Sequence, residues 1–181
     1  MSHAGRLLVA TPLIADPHFE RTVVAVLSHD RDNGAFGLVL NRPSPLVVED
    51  VAEGWGGVVA APAVVFIGGP VADESLIGLA RGGGGDERFA PLVGEWGTVD
   101  LTRPPLEEDP GWVGVRLFLG SAGWAPGQLE DEVSEGAWWV VDAAPDDIAT
   151  GEPDGLWRRV VRRQAGRVSW FSNCPYDPTS N

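Results

Sequence analysis

TVVAVLSHDRDNGAFGLVLN, residues 22–41, is the stretch whose reading decides the fold class. Thr22 to His29 and Phe36 to Asn41 are short runs rich in Val and Leu, separated by Asp32-Asn33-Gly34. Asn and Gly tolerate the positive φ angles of a tight hairpin turn, so the stretch predicts two antiparallel strands. Runs of the same kind at Arg6 to Ala10, Val64 to Gly68, Leu76 to Ala80, Val113 to Leu119 and Ala137 to Asp142 predict further strands. Helical signals fall between them irregularly. Ser44-Pro45 reads as an N-cap and first helical residue, with Leu46, Val47 and Val51 as the buried side of a helix ending about Glu53. Strands in hairpin succession with irregularly inserted helices argue for an α+β fold over a doubly wound sheet. Gly82 to Gly85 and Leu101 to Gly111 read as loops.

A second informative stretch is GSAGWAPGQLEDEVSEGAWW, residues 120–139. Pro126 suits a first helical turn and Gly136 can close a helix in the left-handed conformation, which predicts a helix over about 126–135. Leu129 and Val133 form its narrow apolar stripe, with Glu130 and Glu132 on either side. Gly120 and Gly123 read as a tight strand-to-helix turn whose backbone can come close to a neighbour or a ligand. A third helix is expected from Asp154, an N-cap, to Gly166, a C-cap. Arg158, Arg159, Arg162, Arg163 and Arg167 fall on or just beyond it, opposite apolar Leu156, Val160 and Val161. That pattern is an amphipathic surface helix, and Asp146, Asp147, Glu152 and Asp154 lie close enough upstream to neutralise part of its charge.

The chain's 181 residues, 44% of them hydrophobic, support one domain with a substantial core, residues 167–181 reading as a loosely ordered, Pro-rich tail. No apolar run approaches the roughly 18 residues that span a bilayer, and the N-terminus lacks the pattern of a secretory signal. The single cysteine, Cys174, fits a reducing compartment. A cytoplasmic protein with no membrane association is expected. Acidic residues number 26 against 13 basic ones, all of the latter arginine. A chain without lysine excludes Schiff-base chemistry, covalent pyridoxal phosphate and the P-loop lysine. A net charge of −13 opposes phosphate-backbone binding, so nucleic acid is not expected as a partner.

The motif Gly120, Gly123, Trp124, Gly127-Gln128-Leu129-Glu130 and Glu132 resembles the central block of the YqgE/AlgH family of bacterial proteins. Leu8 to Pro12 with Asp16 to Val23 is similar to the family's opening. Gly34 to Pro43 and Val65 to Val71 resemble its second and third blocks. The blocks occur in order and cover most of residues 6–165. The resemblance implies a single-domain α+β fold around a partly open, β-barrel-like sheet. It also carries a habitual label of transcriptional regulator, which names no chemistry.

Familiar catalytic signatures are missing. Gly120-Ser121-Ala122-Gly123 is not a nucleophile elbow, and no Gly-x-Gly-x-x-Gly follows a strand. His3, His18 and His29 lack metal-ligand spacings, so neither a metal nor a cofactor is expected. No residue is assigned as catalytic. The candidate ligand- or partner-binding set is Asp16, Arg21, His29, Asn41, Gly68, Gly69, Gly123, Trp124, Gln128, Glu130 and Glu132. Gly68-Gly69 and the 120–127 segment are expected around one cleft with Trp124 and Gln128, to which the first-third polar residues contribute. The competing reading ties Asp16 to Arg21 to fix a loop and leaves His29 merely ending a strand. Three functions follow: a binding or regulatory module for a protein partner or small polar ligand, a DNA-binding regulator, and a metal-independent hydrolase using His29 or a glutamate as base.

Overall fold

A computed structural model describes residues 2–82, 87–103, 105 and 111–173. Its strands are β1 (Arg6–Ala10), β2 (Val23–Asp30), β3 (Gly34–Val39), β4 (Pro43–Val47), β5 (Val64–Ile67), β6 (Val71–Gly82), β7 (Phe89–Val93), β8 (Trp96–Val99), β9 (Trp112–Trp124) and β10 (Trp138–Asp142). Three short helices, α1 (Val48–Val51), α2 (Gln128–Ser134) and α3 (Leu156–Arg162), accompany them, with 3-10 turns at Pro153–Gly155 and Gly166–Asn173. The sheet runs β10-β1-β2-β3-β9-β6-β8-β7 and curls into a half-barrel, so that β7 returns to the neighbourhood of β2. The β4–β5 hairpin joins through a parallel pairing of β5 with β9. The fold is α+β.

Residues Val23 to Leu27 of β2 are buried without a break, because both faces of the strand are covered. Val23, Ala25 and Leu27 point with Leu7 and Val9 toward a core closed by Leu156, Trp157, Val160 and Val161 of α3. Val24 and Val26 point the other way, with Leu8 and Ala10, against Trp124, Leu129 and Trp138. The hairpin turn uses the predicted residues: Asp30 Oδ1 accepts from the backbone N–H groups of Asp32 and Asn33, and Gly34 takes φ 87°. Those N–H groups hold the Asp30 carboxyl below its ordinary pKa.

Four expectations are corrected. Residues 43–47 form an edge strand, and α1 begins only at Val48. Pro43 and Pro45 lack N–H groups, which an edge strand can spare. Only Val48 of α1 is buried, while Leu46, Val47 and Val51 are about half exposed. Gly120 to Gly123 is no turn but part of the 13-residue β9. The helix beyond it starts at Gln128 because Gly127 sits in the left-handed region at φ 80°, which ends Pro126's part in it. Asp154 lies inside a 3-10 turn, and α3 ends at Arg162. The β7–β8 hairpin went unread, although Val93-Gly94-Glu95-Trp96, with Gly94 at φ 56°, carries a turn signal.

Of the two expected loops, Gly82 closes β6 and residues 83–86, 104 and 106–110 lie outside the described residues. Residues 166–173 carry 3-10 turns, with Val168 and Phe171 packed on the body of the fold. Cys174 and the rest of the tail lie outside the described residues.

β9 is the hub, pairing with β6, β5 and β3 along its length. Where it passes from β5 to β3, the backbone of Gly68 stitches the seam: its N–H donates to Leu119 O and its C=O accepts from Val39 N–H, both at 2.8 Å. A Cβ at Gly68 would overlap the Gly120 carbonyl, and one at Gly69, φ 148°, the Ser121 carbonyl. Gly69→Ala is therefore expected to cost about 2–4 kcal/mol from overpacking and backbone strain together, read as a lowered urea midpoint. An unchanged midpoint would show that the seam can open.

Candidate functional site

The central motif builds a compact junction. Glu132 of α2 accepts from two indoles at once, Trp124 Nε1 at 2.9 Å and Trp138 Nε1 at 2.8 Å, both on Oε2. Its Oε1 accepts from Gln128 Nε2 at 2.8 Å, and Gln128 Oε1 accepts the Ala125 N–H at 3.0 Å, in place of a conventional N-cap. Phe19 meets Trp138 edge-on at 5.7 Å between ring centroids, so the loop after β1 is packed onto the same cluster. The signature residues thus bind one another and fasten α2 to the sheet.

The side chain of His29, near the end of β2, is 3% exposed. Its Nδ1 accepts the His3 backbone N–H at 2.9 Å, which places the ring proton on Nε2, 3.2 Å from Glu130 Oε1. The His3 ring stacks on it at 5.1 Å and 7°. Both nitrogens are engaged, so His29 is occupied in holding α2 and the N-terminal segment.

Asn41 lies at the opposite end of β2. Its Oδ1 accepts Val23 N–H and its Nδ2 donates to Arg21 O, each at 2.9 Å, which holds Arg21 at φ 52°. The Arg21 guanidinium stands 5.0 Å over the Trp157 ring. Asp16 is engaged with His18: its Oδ1 accepts from the backbone N–H at 2.8 Å and meets the ring at 3.0 Å, which draws its pKa down.

The expected single cleft is therefore not formed. Gly68 and Gly69 do meet the 120–121 segment, but by backbone contact that leaves no room for a ligand. Gly123 pairs with Phe36 within the sheet. His29 and Asn41 are separated by six residues of β2, roughly 20 Å at about 3.3 Å per residue. What sequence reading missed is a cavity of about 350 Å³ between β1–β2 and the β7–β8 hairpin, with Arg6, Arg81 and Glu95 among its walls. It missed also Arg116, 1% exposed, whose Nη2 donates to Ala61 O and Thr150 O and whose guanidinium lies 4.0 Å from the Phe66 ring centroid. Burial lowers its pKa to about 10. Neither was legible because each combines strands distant in sequence. Among the described residues no group of three or more His, Cys, Asp or Glu is placed to hold a metal, and no helix is long and apolar enough to cross a membrane.

Residues 7–169 match the profile of the AlgH-like family. The chain belongs to that family. Among its relatives, a UPF0301 protein of Streptomyces coelicolor is 49% identical over 187 residues, covering 99% of this chain and 96% of the relative. A UPF0301 protein of Thermobifida fusca is 43% identical, with 100% and 96% covered. The crystal structure of protein DIP2367 from Corynebacterium diphtheriae superposes with a TM-score of 0.84 at 32% identity, covering 93% of this chain and 91% of the other. The solution structure of AlgH from Pseudomonas aeruginosa gives 0.69 at 27% identity, covering 98% and 96%. The AlgH-like signature coincides with the Glu132 junction and the glycine seam, so in this chain its residues have a structural use.

Two outcomes test that use. Glu132→Ala leaves two buried indole N–H groups without an acceptor and is expected to destabilise by about 2–5 kcal/mol in urea unfolding, whereas a loss under 1 kcal/mol would mean water replaces the carboxylate. The Glu130 carboxyl is held below its ordinary 4.5, first by its own backbone N–H and then by His29. A depressed carboxyl contributes stability above its unfolded pKa and loses it as pH falls through the folded one. The melting-temperature gap between wild type and Glu130→Gln is thus expected at pH 7 and should close as the pH is lowered through the carboxyl's depressed folded pKa; a gap independent of pH would remove the charge from the account.

Proposed function

We propose that the chain is a cytoplasmic binding or regulatory module, recognising a protein partner or a small polar ligand, and that it does not work as a hydrolase. One observation carries this reading: the groups best suited to acid–base chemistry, His29 and Glu132, have their functional atoms occupied in holding the fold. A general base has to reach a proton on substrate or water, and neither is free to do so. Around α2, Asp131 and Glu135 stay exposed on a rigid helix, and Leu13, 74% exposed, stands near Gly136, which suits surface recognition.

The DNA-binding alternative is weakened by where the arginines of α3 and its C-cap go. Arg163 grips buried Asp147 in a two-pronged ion pair, with contacts of 2.8 and 2.5 Å, and Arg159 donates to Thr150 Oγ1 and approaches Glu152 at 3.9 Å. Charge spent on neighbouring carboxylates releases few counterions on binding phosphate. In a thermal-shift screen of small polar compounds at least one is expected to raise the melting temperature by mass action, while duplex DNA stays unretarded at micromolar protein and physiological salt. Sub-micromolar DNA binding lost on neutralising Arg158, Arg159, Arg162 and Arg163 would overturn the reading in favour of the regulator.

A further inference from the structure

The cavity between β1–β2 and the β7–β8 hairpin lies where the half-barrel curls back on itself, and side chains do not fill the space. Its floor is apolar: Leu7 and Leu27 from β1 and β2, Val93 and Trp96 from the hairpin, and Ile148 from the segment after β10. Such a hollow at a barrel seam is a common place for a small ligand. The polar groups on its wall set the ligand's character. Arg81 pairs across the sheet with Trp96, so both side chains stand on the cavity face. The side chain of half-buried Arg81 makes no hydrogen bond or ion pair among the described residues. Yet this chain carries twice as many acidic residues as basic ones. Arg6 pairs with exposed Asp142 at 3.0 Å through Nη2, but its buried Nε has no acceptor. Glu95 lines the same space, and among the described residues it forms no ion pair with either arginine. A buried Arg6 Nε without an acceptor and an Arg81 guanidinium without a partner among the described residues, both beside an apolar hollow, call for an acceptor that arrives attached to an apolar body.

We propose that this cavity binds a small amphiphilic anion, its apolar body against Leu27, Trp96 and Ile148 and its carboxylate-like head between Arg6 and Arg81. At roughly 30 Å³ per non-hydrogen atom, the share of a water in the liquid, the volume of about 350 Å³ holds about a dozen such atoms. A ten-carbon chain with a carboxylate has that size. Glu95 opposes the head electrostatically and tunes affinity downward. The inference rests on the small-ligand arm of the binding reading and replaces a polar ligand by an amphiphilic one.

The test is titration calorimetry of the full chain with sodium decanoate and with 1-decanol, both kept monomeric, together with methyl chemical-shift mapping on the wild type. Decanoate is expected to bind at least tenfold more tightly than decanol, with the largest shifts at Leu27, Val93 and Ile148. Arg81→Gln should weaken decanoate at least tenfold and leave decanol unchanged, and Glu95→Gln should tighten decanoate several-fold. These opposite signs separate anion recognition from a general loss of packing. Ala144→Trp, which crowds the rim, should abolish both. Equal binding of the two probes, shifts located elsewhere, or decanoate affinity indifferent to Arg81→Gln and Glu95→Gln would overturn the proposal. So would no decanoate binding to the wild type; a compound that still raises the melting temperature in the wider screen would then leave the binding reading standing.

Discussion

Two pieces of backbone touch at the centre of this protein with no side chain between them: Gly68-Gly69 and Gly120-Ser121. At that contact β9 stops pairing with β5 and starts pairing with β3, so one strand can belong to both ends of the curled sheet. Gly120 at φ 69° provides the bend, and Gly68 supplies hydrogen bonds to both neighbours. A single methyl at either site would force the strands apart, and the core on one face of β9 would lose its register with the core on the other. The half-barrel, and the cavity at its seam, depend on this close approach.

The same economy governs the polar groups. Glu132 gathers two tryptophans and a glutamine, Asn41 ties the start of β2 to the preceding loop, and Asp147 holds Arg163. Each satisfies donors that would otherwise be buried unpaired, a cost of about 1–3 kcal/mol apiece. Residues that look like a reactive constellation in sequence are the fasteners of a sheet that has few helices to cover it. Arg116 extends the pattern with a guanidinium held by backbone carbonyls and an aromatic face. Against this background Arg81, lacking such a partner beside an apolar hollow, is distinctive.

The sequence by itself determined the α+β class, the β2–β3 hairpin and β1, because short continuous apolar runs and an Asn-Gly turn act over a few residues. It determined family membership, because the ordered blocks of the signature span most of the chain, and it excluded lysine chemistry by composition alone. The 44–53 helix was misread since Ser-Pro is an N-cap pattern only when no strand partner waits, and β5 waits there. Tertiary structure decided what the motif residues are for. Whether Glu132 faces a ligand or two indoles turns on how β9 and β10, the strands on either side of α2, direct Trp124 and Trp138, and whether Gly68 and Gly69 line a cleft or a seam turns on segments about fifty residues apart in sequence meeting at β9, which no local pattern encodes. The cavity is likewise a property of curvature: Arg6, Arg81 and Glu95 carry no shared spacing, and only the return of β7 toward β2 brings them to one wall.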